Sequence, residues 1–544
     1  MTTETRRRVA ILTTSDIHGF IQPYSYTEDG PSDLGFARIA GLIEGQRRLW
    51  GDHMLYVDNG DNLQGSPLAY YQAKVDSSVE NVMISCLNAA GCCAAVVGNH
   101  EFNFGLSYLQ EAMRQSVFPW LSANILSAAT GEPAFGRPYL VHDTPDGIRI
   151  AVLGLTTAHI PMWELPEHIE GLRFEDPVAC AKLWVPYLRN QEAADVVVVA
   201  YHGGFERDLL TGEPTEALTG ENQGSALCQE VEGIDVLLTG HQHRHVEGIH
   251  LHGVAVIQPG TQGQFLGRVI LELESGGIQE TSSQARTTGD KQRWRVVSTH
   301  SELIPAGKVE PLGRILELTA PVEARLQQWL DQTLGETAGD MLIMNVRKAR
   351  LEEHPFIEWI NRVQMEVSGA PISCTALFDE HTPGFGEHIS MRDILANYKF
   401  PNTLRVLRVT GRDIREALEK SAEYFILEQD GRIGVNPAFL LPKPQPYNYD
   451  MWEGIEYVLD VSRPPGQRVV RLEMDGAPML SEAEYEVVMN NYRAGGGGGF
   501  DMFRGKPIIR ELPTDIAELL ADYIRAKQTV TARANHNWRV IGGI

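Results

Sequence analysis

The chain has 544 residues, 43% of them hydrophobic and 22% charged, an ordinary globular balance but too long for a single core, so two domains are expected. Its net charge of −24 (47 basic against 71 acidic residues) argues against a basic face for long nucleic acid, though not against a nucleotide held by cations that invert the local field. The six cysteines, Cys86, Cys92, Cys93, Cys180, Cys228 and Cys374, form no C-x-x-C pattern and predict buried free thiols rather than a disulfide framework.

In chain order, Arg6-Arg7-Arg8 precede an apolar run of only Val9 to Leu12. That is shorter than the roughly 7–15 apolar residues of a secretion signal, so it reads as a first strand. No stretch of roughly 20 apolar residues predicts a membrane span, and a cytoplasmic protein is expected from the chain as written. Four more short apolar runs follow, Leu55 to Val57, Ala94 to Val97, Val196 to Ala200 and Val236 to Leu238, the pattern of buried strands. Leu34 to Leu49 and Asp176 to Gln191 read as helices between them, which predicts a layered α/β domain. Gly276 to Gln292 is polar and reads as a surface loop or hairpin. Pro311 to Leu334 carries Leu312, Ile315, Leu316, Val322, Leu326 and Leu330 at helical spacing. Beyond it, the helices His354 to Val367 and Arg412 to Tyr424 and the strand Arg405 to Thr410 predict a second α/β domain. The expected division is residues 1–310, a linking helix at 311–335, and residues 336–544.

Each of the five apolar runs ends in a polar cluster: Asp16-Ile17-His18-Gly19, Asp58-Asn59-Gly60-Asp61, Gly98-Asn99-His100-Glu101, Tyr201-His202-Gly203-Gly204 and Thr239-Gly240-His241-Gln242-His243. Loops at strand ends are where a rigid sheet presents functional side chains. Carboxylate, amide oxygen and imidazole are the ligands of hard and borderline divalent cations, and a two-metal centre needs one anion touching both ions, about 3.5–4 Å apart. On a strand His241 and His243 would point the same way; on a strand-end loop they can serve separate metals.

The succession D-x-H, G-D-N, G-N-H-E, H-G-G, G-H-x-H resembles the calcineurin-like metallophosphoesterases. In the second half, His354-Pro355-Phe356-Ile357, Cys374-Thr375-Ala376-Leu377-Phe378, Tyr447-Asn448-Tyr449-Asp450-Met451 and Asn490-Asn491-Tyr492-Arg493-Ala494-Gly495-Gly496-Gly497 look like the C-terminal domain of the 5'-nucleotidase family. Within it they look most like the 2',3'-cyclic-nucleotide 2'-phosphodiesterase/3'-nucleotidase branch. The resemblance implies a four-layer α/β/β/α sandwich joined by a linking helix to a second α/β, substrate-binding domain. It also implies two divalent metal ions, Mn²⁺ or Zn²⁺ with Fe as an option. Asp61 is implied as the bridge; Asp16, His18 and His243 would complete one ion, and Asn99, His202 and His241 the other. Asp58 reads as structural. His100 is implied to contact the phosphoryl oxygens or leaving group, oriented from three positions on. There Asn103 replaces the acidic residue of many 5'-nucleotidases and brings a hydrogen bond without charge, a departure that favours the cyclic branch.

The resemblance further implies a nucleobase clamped between two aromatics, with domain closure bringing base site and metals together. Tyr492 matches one aromatic; its partner is Tyr447 or Tyr449, which strand alternation would place on one face, with Tyr447 preferred. Gly495 and Gly496, in the run Gly495 to Gly499, would let backbone approach a ligand. Arg493 would contact substrate or form a surface salt bridge. Gly498 stands where many 5'-nucleotidases carry an acid. The expected function is two-metal hydrolysis of 2',3'-cyclic nucleotides and 3'-nucleotides. The alternatives are a 5'-nucleotidase or nucleotide-sugar hydrolase on the same fold, a thiosulfohydrolase-like enzyme, and a nucleotide-binding protein without catalysis. A small nucleotide is the expected partner, with no long nucleic acid, no membrane, and the chain a monomer or weak dimer.

Overall fold

The computed structural model describes residues 6–542 apart from 27–28, 78, 217, 277–292, 401 and 442, so the loop or hairpin expected after Gly276 lies outside the described residues. Two compact units divide the chain, Met1–Ala324 and Arg325–Ile544.

In the first unit the five apolar runs form β1 (Arg6–Thr14), β2 (Met54–Asp58), β3 (Ala94–Val96), β4 (Val196–His202) and β5 (Val236–Thr239). Two six-stranded sheets share them. One has the order Arg293–Pro305, Phe265–Gly276, β1, β2, β3, Trp120–Leu121; the other has His245–Leu251, Val254–Pro259, β5, β4, Arg149–Thr156, Tyr139–Asp143. β1, β2 and β3 pair in parallel, as do β4 and β5. The strands are apolar on both faces because both faces are covered. Val9, Ile11, Leu55 and Val57 of one sheet meet Val196, Val198, Val236 and Leu238 of the other in a shared core. The opposite faces of β4 and β5, with Val197, Val199 and Leu237, pack on Ala181, Val185 and Leu188 of the helix Pro177–Asn190. The helix Phe36–Trp50 covers the outer face of the first sheet. Four layers, α/β/β/α, result. Each fully buried Val or Leu contributes about 1.5–3 kcal/mol.

Local chemistry sets the helix ends. Gly35, at φ 106°, cannot be helical, so the first helix begins at Phe36 rather than Leu34. The helix Pro177–Asn190 opens where Asp176 accepts the Ala179 N–H and Pro177 fills the first turn. The helix Gly313–Leu330 spans the unit boundary; it stops short of Leu334 because the chain turns into the strand Thr333–Ala338.

The second unit holds a five-stranded sheet in the order Asp450–Glu453, Ile372–Ala376, Glu484–Asn490, Leu404–Thr410, Ile508–Leu512. The flanking helix Pro355–Ser368 is capped by His354, and Gly411–Ala422 opens on a reciprocal cap between Thr410 and Asp413. All six cysteines are free thiols. Among the described residues no helix is long and apolar enough to cross a membrane.

Candidate metal centre

The loops leaving β1, β2 and β5 bend abruptly, while His202 ends β4 itself. Asp16 (φ 56°), His18 (54°), Asp61 (61°), His241 (67°) and His243 (56°) all adopt the left-handed backbone, where a non-glycine residue costs of order 1–3 kcal/mol. Main-chain bonds hold two of these loops together: Asp16 N–H to Gly60 O at 2.9 Å, His18 N–H to Asp61 O at 2.8 Å and Asn59 N–H to Thr14 O at 2.7 Å.

The bends bring the predicted ligands into two groups. Asp16, His18 and His243 present ligating atoms all within 4.8 Å of one another, and so do Asp61, His202 and His241. The Asn99 Oδ1 joins the second group, 2.9 Å from His241 Nδ1 and 3.2 Å from His202 Nε2. The outward-facing ring nitrogens are engaged elsewhere. His18 Nδ1 lies 2.8 Å from Gln64 O, His202 Nδ1 2.6 Å from Asn59 O, and His241 Nε2 3.1 Å from Glu221 Oε1. Donation of the outer N–H to an oxygen leaves an inward lone pair, the usual orientation of metal-ligating histidines. His18 Nε2 and His243 Nε2 then face each other at 3.1 Å, and the buried Asp61 Oδ2 lies 3.1 Å from His202 Nε2. Converging imidazole nitrogens and buried carboxylate oxygens fit divalent cations.

The electrostatics agree. Burial pushes the Asp16 carboxyl up, but His243 and His202 more than offset it and hold it below the carboxylate range. Burial and the neighbouring His243 push His18 down to about 3, keeping it neutral, the form that ligates. For His202 burial opposes the charge, yet Asp61 draws it up to about 10, so a cation bound there displaces a proton. Burial raises Asp61 too, and His202 and His100 overcome it, leaving the carboxylate well below its usual range.

Asp58 is a brace. Fully buried, it accepts from Thr14 Oγ1 (2.6 Å), Asn62 Nδ2 (2.6 Å) and Gly60 N (3.0 Å), and burial pushes it up to about 6. His100 donates its backbone N–H to Asp61 Oδ1 at 2.8 Å, and its ring centroid is 5.2 Å from that of His18. Its Nδ1 is 2.6 Å from Asn103 Oδ1.

The second unit differs from expectation around the tyrosines. Tyr447 and Tyr449 are not strand neighbours on one face. Pro446–Asn448 forms a single helical turn, and the strand starts only at Asp450. Tyr449 is fully buried, stacked on Tyr424 at 5.5 Å, whereas Tyr447 lies edge-to-face with Tyr492 at 6.4 Å and 79°. Arg493, expected against substrate or in a surface salt bridge, is instead 2% exposed. Its Nε binds Asp450 Oδ2 at 2.6 Å, its Nη2 binds Tyr447 O at 2.7 Å, and its guanidinium lies 3.6 Å over the Phe500 ring. A buried cation so paired organises the loop and leaves no face for a ligand. Gly495 and Gly496, expected at a ligand, close the short helix Asn491–Ala494: their N–H groups donate to Asn491 O (3.0 Å) and Arg493 O (2.9 Å). A side chain at Gly498 would place its Cβ 1.9 Å from Asn448 Oδ1, at φ 72°, so an acid does not fit there without moving Asn448.

The sequence profile of the calcineurin-like phosphoesterases matches residues 9–245, and that of the 5'-nucleotidase C-terminal domain matches residues 333–505. A crystal structure from Staphylococcus aureus, of a protein provisionally assigned as a 5'-nucleotidase and in complex with alpha-ketoglutarate, is 36% identical, with TM-score 0.88, over 98% of this chain and 100% of that one. The chain belongs to the 5'-nucleotidase family. Among curated members of the family, the Haemophilus influenzae 2',3'-cyclic-nucleotide 2'-phosphodiesterase/3'-nucleotidase is 28% identical over 98% of this chain and 87% of its own length. The Bacillus subtilis trifunctional nucleotide phosphoesterase YfkN is 26% identical, and the chain spans 39% of that longer protein. As a member of this family the chain is a phosphoester-hydrolysing enzyme, and the calcineurin-like fold implies divalent metal ions.

Three residues of this 5'-nucleotidase-family site receive no role from the sequence. Glu101 sits inside G-N-H-E yet carries the Asp61 loop: it is fully buried and accepts N–H groups from Asn62 (2.6 Å), Gly98 (2.7 Å) and Asp61 (2.9 Å). Glu221 meets His241, and Trp163 stacks on the same ring at 5.3 Å and 23°. An acid inside a ligand motif was a readable signal for Glu101; Glu221 and Trp163 lie on loops without one.

Proposed function

We propose that this enzyme hydrolyses nucleotide phosphoesters at a two-metal centre and prefers 2',3'-cyclic nucleotides and 3'-nucleotides. The observation that carries hydrolysis is the pair of ligand groups around the buried Asp61. In this reading Asp61 would be shared between two ions, Mn²⁺ or Zn²⁺ with Fe as an option; Asp16, His18 and His243 would hold one, and Asn99, His202 and His241 the other. When bound, such a pair supplies a water of lowered pKa and takes up charge on phosphoryl oxygens. His100 turns its Nε2 toward the phosphoryl group and leaving oxygen, with Asn103 fixing the ring through Nδ1. In a cyclic substrate the bond to the ribose 2'-oxygen breaks, leaving a 3'-phosphate; a second hydrolysis yields the nucleoside.

Tyr492 and Tyr447 are the candidates for base stacking. They stand edge-to-face, so one ring must turn to make a parallel clamp. Arg493 holds both, bonding the Tyr447 carbonyl and the carbonyl of Gly497, which packs beneath the Tyr492 ring. Three features favour the cyclic branch: the named activity of the Haemophilus relative, Asn103 beside His100, and the exclusion of an acid at Gly498.

Hydrolysis of 2',3'-cAMP, 3'-AMP and 5'-AMP side by side, with Mn²⁺ added, tests this preference. The cyclic substrate is expected to be fastest and 3'-AMP second; a preference for 5'-AMP would move the chain to the 5'-nucleotidase reading. Tyr492→Ala is expected to raise KM for nucleotides about 5- to 150-fold, the worth of one stacked base, while sparing bis-p-nitrophenyl phosphate. Equal loss on both substrates would remove Tyr492 from the base site.

A further inference from the structure

Resting on the role given to His100 above, we propose that Glu164 is a positioning residue, the charged end of a relay that fixes the His100 ring through Asn103. Asn103 meets His100 with its Oδ1, and its Nδ2 donates to Glu164 Oε2 at 2.7 Å across 61 residues of sequence. The Glu164 side chain is 6% exposed. Its other oxygen accepts the Leu165 N–H at 2.8 Å and lies 2.9 Å from His168 Nδ1, and its own N–H is tied to Ile160 O at 3.0 Å. The carboxylate is therefore held from both sides and cannot swing to solvent.

The chemistry of the three groups makes this a one-way arrangement. An ionised carboxylate only accepts, so the face of Asn103 turned to Glu164 must be its NH₂. Its carbonyl oxygen then faces His100, Nδ1 is the protonated nitrogen, and Nε2 is the nitrogen presented to the reacting group. Without the carboxylate the amide has two orientations and the neutral ring two tautomers, of which one is wrong for the site. The adjacent Trp163 lies flat on His241, so one short segment after the strand Arg149–Thr156 buttresses rings on both sides of the centre. From the sequence Asn103 brings a hydrogen bond without charge; the fold adds the charge behind it, at Glu164.

The test is kcat and KM for 2',3'-cAMP with Mn²⁺, measured for E164Q in three backgrounds, with thermal unfolding to verify folding. In the otherwise native enzyme E164Q is expected to lower kcat about 10- to 100-fold, the usual scale for an outer partner of a site residue, with KM little changed. In the N103D background two carboxylates oppose each other, so E164Q is expected to raise kcat. In the His100→Asn background E164Q is expected to change nothing. A loss of the same factor in all three backgrounds would make Glu164 a support of its loop only, and no loss in the native enzyme would also overturn the proposal. If His100→Asn itself keeps near-normal turnover, the role of His100 fails and this proposal with it. A crippled His100→Asn enzyme beside a harmless E164Q defeats the proposal alone. Should E164Q unfold, the comparison of N103D with N103D/E164Q still reads the sign.

Discussion

Asp61→Asn is expected to lower kcat/KM for every phosphoester substrate by at least about 10⁴-fold, on the order of 5.5 kcal/mol of lost transition-state stabilisation. The substitution is isosteric, and the amide oxygen can still accept the His100 N–H that Oδ1 accepts at 2.8 Å. What disappears is the charge at Oδ2, the buried atom 3.1 Å from His202 Nε2. Metal analysis should find the bound pair reduced to at most one ion per chain. Because the lesion lies at the ions, bis-p-nitrophenyl phosphate should suffer as much as 2',3'-cAMP, unlike the selective effect at Tyr492. Near-normal turnover with full metal content would remove Asp61 from the bridge.

The second large effect is expected at Glu101→Ala, a fully buried residue outside the two ligand groups. Its carboxylate gathers the N–H groups of Asp61, Asn62 and Gly98 in a site sealed from solvent. Truncation leaves these donors buried and unpaired, at about 1–3 kcal/mol each before relaxation, and a net loss of about 3–5 kcal/mol is expected. The Asp61 loop should then fail to hold its left-handed bend, with kcat/KM falling about 100-fold and metal binding weakened. Thermal unfolding with and without added Mn²⁺ separates the two effects. Saturating Mn²⁺ should recover part of the lost midpoint by mass action. An unchanged midpoint and unchanged activity would show that the loop stands without Glu101.

The contrast between these two residues marks what the sequence could reveal. Asp61 and the other ligand-type residues follow apolar runs directly, so the strand pattern and the polar punctuation point to the same place. The fold of the first unit is legible for the same reason: a strand buried on both faces must be apolar throughout, and β4 reads Val196 to Ala200 without a break. Helix ends shifted by up to four residues where a glycine torsion such as that of Gly35, or a following strand, set the limit. The second unit resisted because its contacts are made by chain returning from afar. Period-two alternation placed Tyr447 and Tyr449 on one face, but Pro446 starts a helical turn there and the alternation never applies. Arg493 is buried because Asp450 waits 43 residues away to pair with it, and no local pattern announces that partner. Glu164 is hidden in the same way, behind 61 residues and an asparagine.

The left-handed torsions of Asp16, His18, Asp61, His241 and His243 set two demands against each other. The amino acid most at ease at each of these positions is glycine, and glycine carries neither carboxylate nor imidazole. Any drift toward comfort would give loops that form more readily and a protein that does nothing. The centre is therefore kept by its chemistry against the preference of its own backbone, and the rigid, doubly covered sheets beneath it are what allow a chain to remain in so unwelcome a shape.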